Sequence, residues 1–292
     1  MTANSLPYVV SADIRFLLRG WAATQGFTLP SDEFFSEVRD EFIVFMERIF
    51  SHFDMVSEEE ISLGIAELIL RAPAIPVSLE KAYYPTTHSI EVARLVNERG
   101  NDCGIGPRAG TPTLLRQLKK LEHEGLEEIT LIDDVIFSGG FMARFVRLLK
   151  RMHIQVPCVC VGIGIAGGVR KLQALGCAVR CVRFYEAVID EVCERDFYPG
   201  IPLSGRLVAK SSNVGMPYIL PFGRPKEWAT IPEEWHRELS RFCLTQTIRL
   251  FTEIERHSGK IVASHLLPRQ VHSLRNGVMS FTDALQEIAG KI

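Results

Sequence analysis

Apolar positions near the start of the chain recur at helical spacing. In PSDEFFSEVRDEFIVFMERIF, Phe34, Phe35, Val38, Phe42, Phe45, Met46 and Ile49 keep the period of an amphipathic helix. Ser57, three residues before Glu60, makes a capping box that opens a second helix, ISLGIAELILRA. The proline-bearing stretch APAIPVSLEKAYYP interrupts the helices, and THSIEVARLVNERG predicts another, stopped by Gly100. From about Asp102 the pattern alternates. TPTLLRQLKKLEHEG predicts a helix with Leu114, Leu115, Leu118 and Leu121 on one face; EITLI predicts a short buried strand. FMARFVRLLKRMH (helix), VPCVCVGIGIA (strand with no wet face), GGVRKLQALG (short helix) and AVRCVRF (strand) follow. Strands alternating with crossover helices predict an α/β fold with a parallel twisted sheet and flanking helices, whose ligand site lies beyond the C-terminal strand ends. A loop-rich stretch after Arg206, the long helix PEEWHRELSRFCLTQTIRLFTEIERH and a final helix, SFTDALQEIAGKI, complete the pattern. The expected organisation is a helical segment at 1–74, an α/β core at 75–206 and a mainly helical segment at 207–292 packed on that core.

Composition narrows the function classes. The 292 residues are 47% hydrophobic and 23% charged, with a net charge of -2, ordinary for a globular protein. No basic field exists for wrapping nucleic acid, so any anion site is local. The seven cysteines are scattered without a CxxC pair, which predicts reduced thiols rather than a disulfide framework or a zinc site. The N-terminal sequence lacks the basic-then-apolar order of a secretory signal. No apolar run reaches the ~18 to 20 residues that span a bilayer, so a cytoplasmic protein is expected. The aromatic content of the helical flanks is compatible with a homodimer or a protein partner.

The candidate chemistry concentrates at ITLIDDVIFSGGFM, residues 129–142. Adjacent carboxylates repel, and an apolar strand gains no stability by delivering Asp133 and Asp134 into a turn. Gly139 and Gly140 remove Cβ atoms so that backbone N–H groups converge on a phosphate, and the helix beginning near Phe141 points its positive end there. Ser138 donates a hydroxyl hydrogen bond to such a ligand, and the two acids accept from vicinal ribose hydroxyls, directly or through magnesium.

LIDDVIFSGG resembles the PRPP signature of the type I phosphoribosyltransferases, of which the chain looks like a divergent member: an apolar strand, two acids, two variable residues, a Thr- and Ser-rich turn and two glycines. The resemblance implies binding of PRPP, or of a ribose 5-phosphate nucleotide, with magnesium near Asp133 and Asp134. It implies transfer of the ribose phosphate to a nucleobase or other nucleophile, with the turn Phe137, Ser138, Gly139 and Gly140 on the 5′-phosphate. GIGPRAGTP resembles the family's pyrophosphate loop, which gives Arg108 the pyrophosphate and lets Gly106, Ala109, Gly110 and Thr111 approach it. The same stretch also reads as a helix entry, with Thr111 as N-cap and Pro112 at the first helical position. RDFYPGIPLSGR resembles the loop that covers the base in purine-type members, where Phe197 or Tyr198 would stack; it also reads as a surface turn.

The pattern departs from the family in three places. Phe137 and Phe141 stand where hydroxyl or small residues are usual. No long hairpin separates GIGPRAGTP from the acids. The polar run NERGNDC precedes the loop where a buried strand is expected. These departures keep open a second reading, a non-catalytic sensor of PRPP or a nucleotide. A third class of reading is dinucleotide (NAD) binding through GIGIAG, residues 162–167, with Glu186 about 20 residues on as the ribose acid.

Overall fold

The computed structural model describes residues 6–274 and 280–292. The chain divides into two units: Met1–Met55, Arg94–Ile105 and Asp190–Ile292 form one, Val56–Ala93 and Gly106–Ile189 the other. The boundaries expected at 75 and 206 do not coincide with this division. The helix at Glu58–Ile69 belongs with the α/β unit, and residues 190–206 belong with the other.

The α/β unit is built on five parallel strands ordered β2–β1–β3–β4–β5. They are β1 (Ile75–Ser78), β2 (His88–Ser89), β3 (Glu128–Ile136), β4 (Gln155–Ile165) and β5 (Ala178–Tyr185). Its helices are α1 (Glu58–Ile69), α2 (Leu114–His123), α3 (Gly140–Arg151) and α4 (Ala166–Gln173). The capping box forms as expected: Ser57 Oγ accepts the Glu60 N–H at 3.2 Å. Ile132 pairs with Ser78 on one side and Cys160 on the other, placing β3 in the interior of the sheet. Ile129 and Leu131 of β3 and Val159 and Val161 of β4 meet Leu118, Leu121, Phe145 and Leu149 of α2 and α3 in one buried cluster. Each such aliphatic side chain contributes roughly 1.5–3 kcal/mol by leaving water, which fixes β3 as the rigid platform of the unit.

Residues 86–99 are not the predicted helix. They form β2, a strand at Val92–Val96 and a turn leading to a strand at Asp102–Pro107. Asn97 Oδ1 accepts the N–H groups of Arg99 (2.9 Å) and Asn101 (3.0 Å), and Gly100 takes a left-handed φ of 76°. That side-chain turn closes the chain on itself, and Leu95 and Val96 pair with Leu207 and Val208 in a five-stranded mixed sheet. NERGN is a hairpin turn, not a helix end.

The other unit carries that mixed sheet, a three-stranded sheet in the order Asp190–Cys193, Tyr8–Ser11, Phe53–Val56, and the long helix His236–Ser258. Phe42, fully buried, packs within 5.5–6.4 Å of the Phe53, Phe197, Tyr198 and Phe242 rings. Among the described residues no helix is long and apolar enough to cross a membrane, and all seven cysteines are free thiols.

Candidate functional site

β3 runs four residues beyond the predicted EITLI strand. Val135 and Ile136 keep pairing with Ile163 and Gly164, so Asp133 and Asp134 lie among the strand's last four residues rather than in the turn. Continuous parallel partners and two β-branched residues extend it there. Asp134 is 8% exposed and its Oδ1 accepts the Val135 N–H at 2.8 Å. Burial pushes the Asp133 carboxyl well above the usual carboxylate range, and the neighbouring Asp134 and Glu80 carboxylates push it further. Ionised, this group is desolvated and faced by like charge; hydroxyl donors or a cation would relieve it.

The turn after β3 is set by its glycines. Gly139 has a φ of 65° and caps α3, and its C=O accepts the Ala143 N–H at 2.9 Å. A Cβ on Gly139 would lie 2.7 Å from the Gly168 carbonyl oxygen, and one on Gly168 would lie 2.3 Å from the Phe137 carbonyl oxygen. The turn and the first turn of α4 therefore touch backbone to backbone. Lys171 Nζ donates to the Ser138 carbonyl at 2.7 Å, and Gly140 N–H donates to Ser138 Oγ at 3.4 Å. The first amides of α3 have no acceptor inside their own helix and form an anion-facing end. Phe137 is 36% exposed at the turn, whereas Phe141 stacks on Phe145 at 5.9 Å against the buried cluster. Phe141 thus serves the core and does not fill the turn.

Arg108 sits elsewhere in this chemistry. It follows the Asp102–Pro107 strand and donates to four acceptors: Glu80 Oε2 (2.9 Å), Glu91 Oε2 (3.2 Å) and the carbonyls of Leu79 and Val92 (3.1 Å each). The guanidinium clasps two carboxylates and the end of β1. Gly106 is buried in the strand end, and Ala109 and Gly110 make a tight turn in which the Thr111 hydroxyl donates to the Arg108 carbonyl at 2.7 Å. The N-cap of α2 is Thr113, whose Oγ1 accepts the Arg116 N–H at 3.4 Å, two residues later than Thr111.

Two carboxylates carry no mark in the sequence reading: Glu80, 3% exposed just past β1, whose charge acts on Asp133, and Glu91, which shares Arg108 with Glu80 and forms an ion pair with Lys81. Their signal was present, since IPVSLEK, like LIDD, is an apolar run ending in an acid. Between GIGPRAGTP and the acids lie only α2 and the first part of β3; the strands Val92–Val96 and Asp102–Pro107 precede Arg108.

Two expectations are corrected. Phe197 and Tyr198 are 0% exposed in the aromatic core around Phe42, so neither offers a ring face to a base. GIGIAG is not a phosphate loop: Gly162 and Gly164 lie inside β4, where a Cβ would meet Ile61 at 2.7 Å and Cys181 Sγ at 2.2 Å. These glycines admit neighbouring side chains. Glu186 is exposed and pairs with Arg170 at 3.0 Å.

No family model matches the chain. Over 62 residues, 20% of its length, it is 39% identical to an adenine phosphoribosyltransferase of Azorhizobium caulinodans, and 36% identical over 62 residues to one of Beijerinckia indica. The matched stretch covers 34% and 35% of those proteins, so the chain spans about a third of the length of the curated relatives it matches. Among solved structures, it is similar to adenine phosphoribosyltransferase from Rhodothermus marinus over 42% of this chain and 77% of that one, at 14% identity and a TM-score of 0.27. For Mycobacterium tuberculosis orotate phosphoribosyltransferase in complex with 5-phospho-alpha-D-ribosyl 1-diphosphate the coverage is 42% and 70%, at 14% identity and a TM-score of 0.26. The fold stands on its own strand order and register. Over one fifth of its length, the chain is similar in sequence to adenine phosphoribosyltransferases.

Proposed function

We propose that the protein binds PRPP, or a ribose 5-phosphate nucleotide, at the end of β3, and transfers the ribose phosphate to a nucleobase or other nucleophile. The observation that carries this reading is the desolvated Asp133–Asp134 pair directly above a glycine turn that opens α3. The acids accept the vicinal ribose hydroxyls; Ser138, Gly139, Gly140 and the first amides of α3 take the 5′-phosphate. Because no covalent nucleophile is required, positioning and charge stabilisation supply the catalysis.

Magnesium fits this arrangement as a ligand-borne ion. Among the described residues no group of three or more His, Cys, Asp or Glu is placed to hold a metal, so this chain supplies no full cage. Magnesium is commonly held by one or two carboxylates and substrate phosphates, and Asp133 and Asp134 would be those carboxylates. Bound there, it would neutralise the departing pyrophosphate.

A non-catalytic sensor is the second reading, favoured by Arg108: its guanidinium is already engaged by Glu80 and Glu91. Calorimetry with PRPP and magnesium tests the shared site. Binding is expected for the unaltered protein and a loss of about 100-fold or more for Asp133→Asn/Asp134→Asn, as two charge-assisted contacts disappear. Undiminished binding by the double variant would sink the site. Pyrophosphate release across a nucleobase panel separates transferase from sensor.

A further inference from the structure

A second site lies in the α/β unit, outside the acid turn. A cavity of about 680 Å³ is walled by α2, by β2 and by the loops after β1 and before α2. Its volume is that of a pocket for a small organic ligand. The wall carries Lys81, Arg116, Lys119 and Lys120, with His88 and His123, against only two carboxylates, Glu91 and Glu124. Both carboxylates already have cationic partners. Glu91 pairs with Lys81 and Arg108; Glu124 pairs with Lys120 at 3.7 Å and meets His88 Nδ1 at 3.1 Å. Arg116 and Lys119, one turn apart on α2, form no ion pair among the described residues.

The wall is also rigid. Gln117, 8% exposed, donates to the Pro112 carbonyl at 2.7 Å and the Glu91 carbonyl at 3.2 Å, and accepts the Glu91 N–H at 2.7 Å. One amide side chain thus pins the loop before α2 to the segment after β2. Pro112 and Leu121 give the cavity an apolar face beside its cations. Gly110 and Thr111, which the family resemblance would set against pyrophosphate, open onto this cavity.

We infer that this cavity binds a phosphate-bearing ligand of mononucleotide size, separately from the Asp133–Ser138 turn. Arg116 presents a planar fork suited to two phosphate oxygens, Lys119 adds a second charge one helical turn away, and the apolar face receives the ring. The site is independent of whether the acid turn performs transfer.

Calorimetry on the full chain in EDTA, with AMP as probe and adenosine as phosphate-free control, tests this. AMP is expected to bind and adenosine to bind at least about tenfold more weakly, because charge-assisted bonds to phosphate supply the difference. The titrations are repeated in the Asp133→Asn/Asp134→Asn background, which removes the ribose contacts of the acid turn, so that nucleotide held there does not mask the cavity. Adding Arg116→Ala/Lys119→Ala, two exposed positions whose fold is checked by circular dichroism, is expected to weaken AMP by about tenfold or more in that background. The inference is overturned if the acid-turn variant fails to bind AMP, if adenosine binds it as well as AMP, or if adding the two α2 substitutions leaves AMP binding unchanged.

Discussion

Two glycine-bearing loops of this chain resemble phosphate loops, and the structure treats them differently. The 137–140 turn leaves Ser138 exposed and gives α3 no side-chain cap at Gly139, beside a carboxyl that burial and like charge make unstable when ionised. The 106–111 loop has its arginine engaged by two acids and two carbonyls, and its threonine hydroxyl bonded to its own turn. One loop keeps donors for a ligand; the other uses them to hold the chain together. A motif names the donors available, and only their partners decide which role they play.

Breaking the clasp should have the largest effect. Arg108→Ala removes the cation that Glu80, nearly buried, shares with Glu91, and about 3 kcal/mol of stability should be lost in urea denaturation. If Arg108 instead waited for pyrophosphate, the loss would be near zero and only ligand affinity would fall. Gly139→Ala ranks next, at about 2 kcal/mol, from a left-handed φ and the contact with the Gly168 backbone. Gly140→Ala, whose Cβ would meet only Ser138 Oγ at 3.5 Å, should stay within about 0.5 kcal/mol and serves as its control.

The effect at Asp133 has the opposite sign. Asp133 has a pKa raised by folding, so its contribution is favourable in full below the ordinary carboxylate range and is lost as pH rises through the raised value. Asp133→Asn should therefore raise the melting temperature of the ligand-free protein at neutral pH, and the gain should shrink as pH falls. A melting temperature lowered at neutral pH would show that the carboxylate stabilises the fold, leaving the 137–140 side of the comparison without its strain.

Much of the α/β unit was legible because its signals are local. Strand–helix alternation from Leu114 onward follows from periodicity, and the Ser57–Glu60 cap from a spacing of three. Residues 86–99 were misread because Ile90, Val92, Leu95 and Val96 suit either period. Their strand depends on pairing with Leu207 and Val208, more than a hundred residues away. At the site, the acids and glycines were legible as residue types. Glu80, Glu91 and the clasp were not, since they belong to separate loops that only the fold brings together. Phe197 and Tyr198 failed for the converse reason: an aromatic pair beside Pro199 and Gly200 reads as a turn, and its burial depends on distant Phe42.

The bare contact between the 137–139 turn and the start of α4 has a consequence for how this protein can change over generations. Gly139 and Gly168 exclude a methyl group from the same gap, so the two positions form one mutational unit. A first substitution that parts the backbones has already incurred most of the damage a second would cause. Alanines at both sites should therefore cost less together than the sum of each alone. Lineages that exchange either glycine have then to rebuild the neighbouring helix entry as well, and the phosphate turn cannot drift by itself.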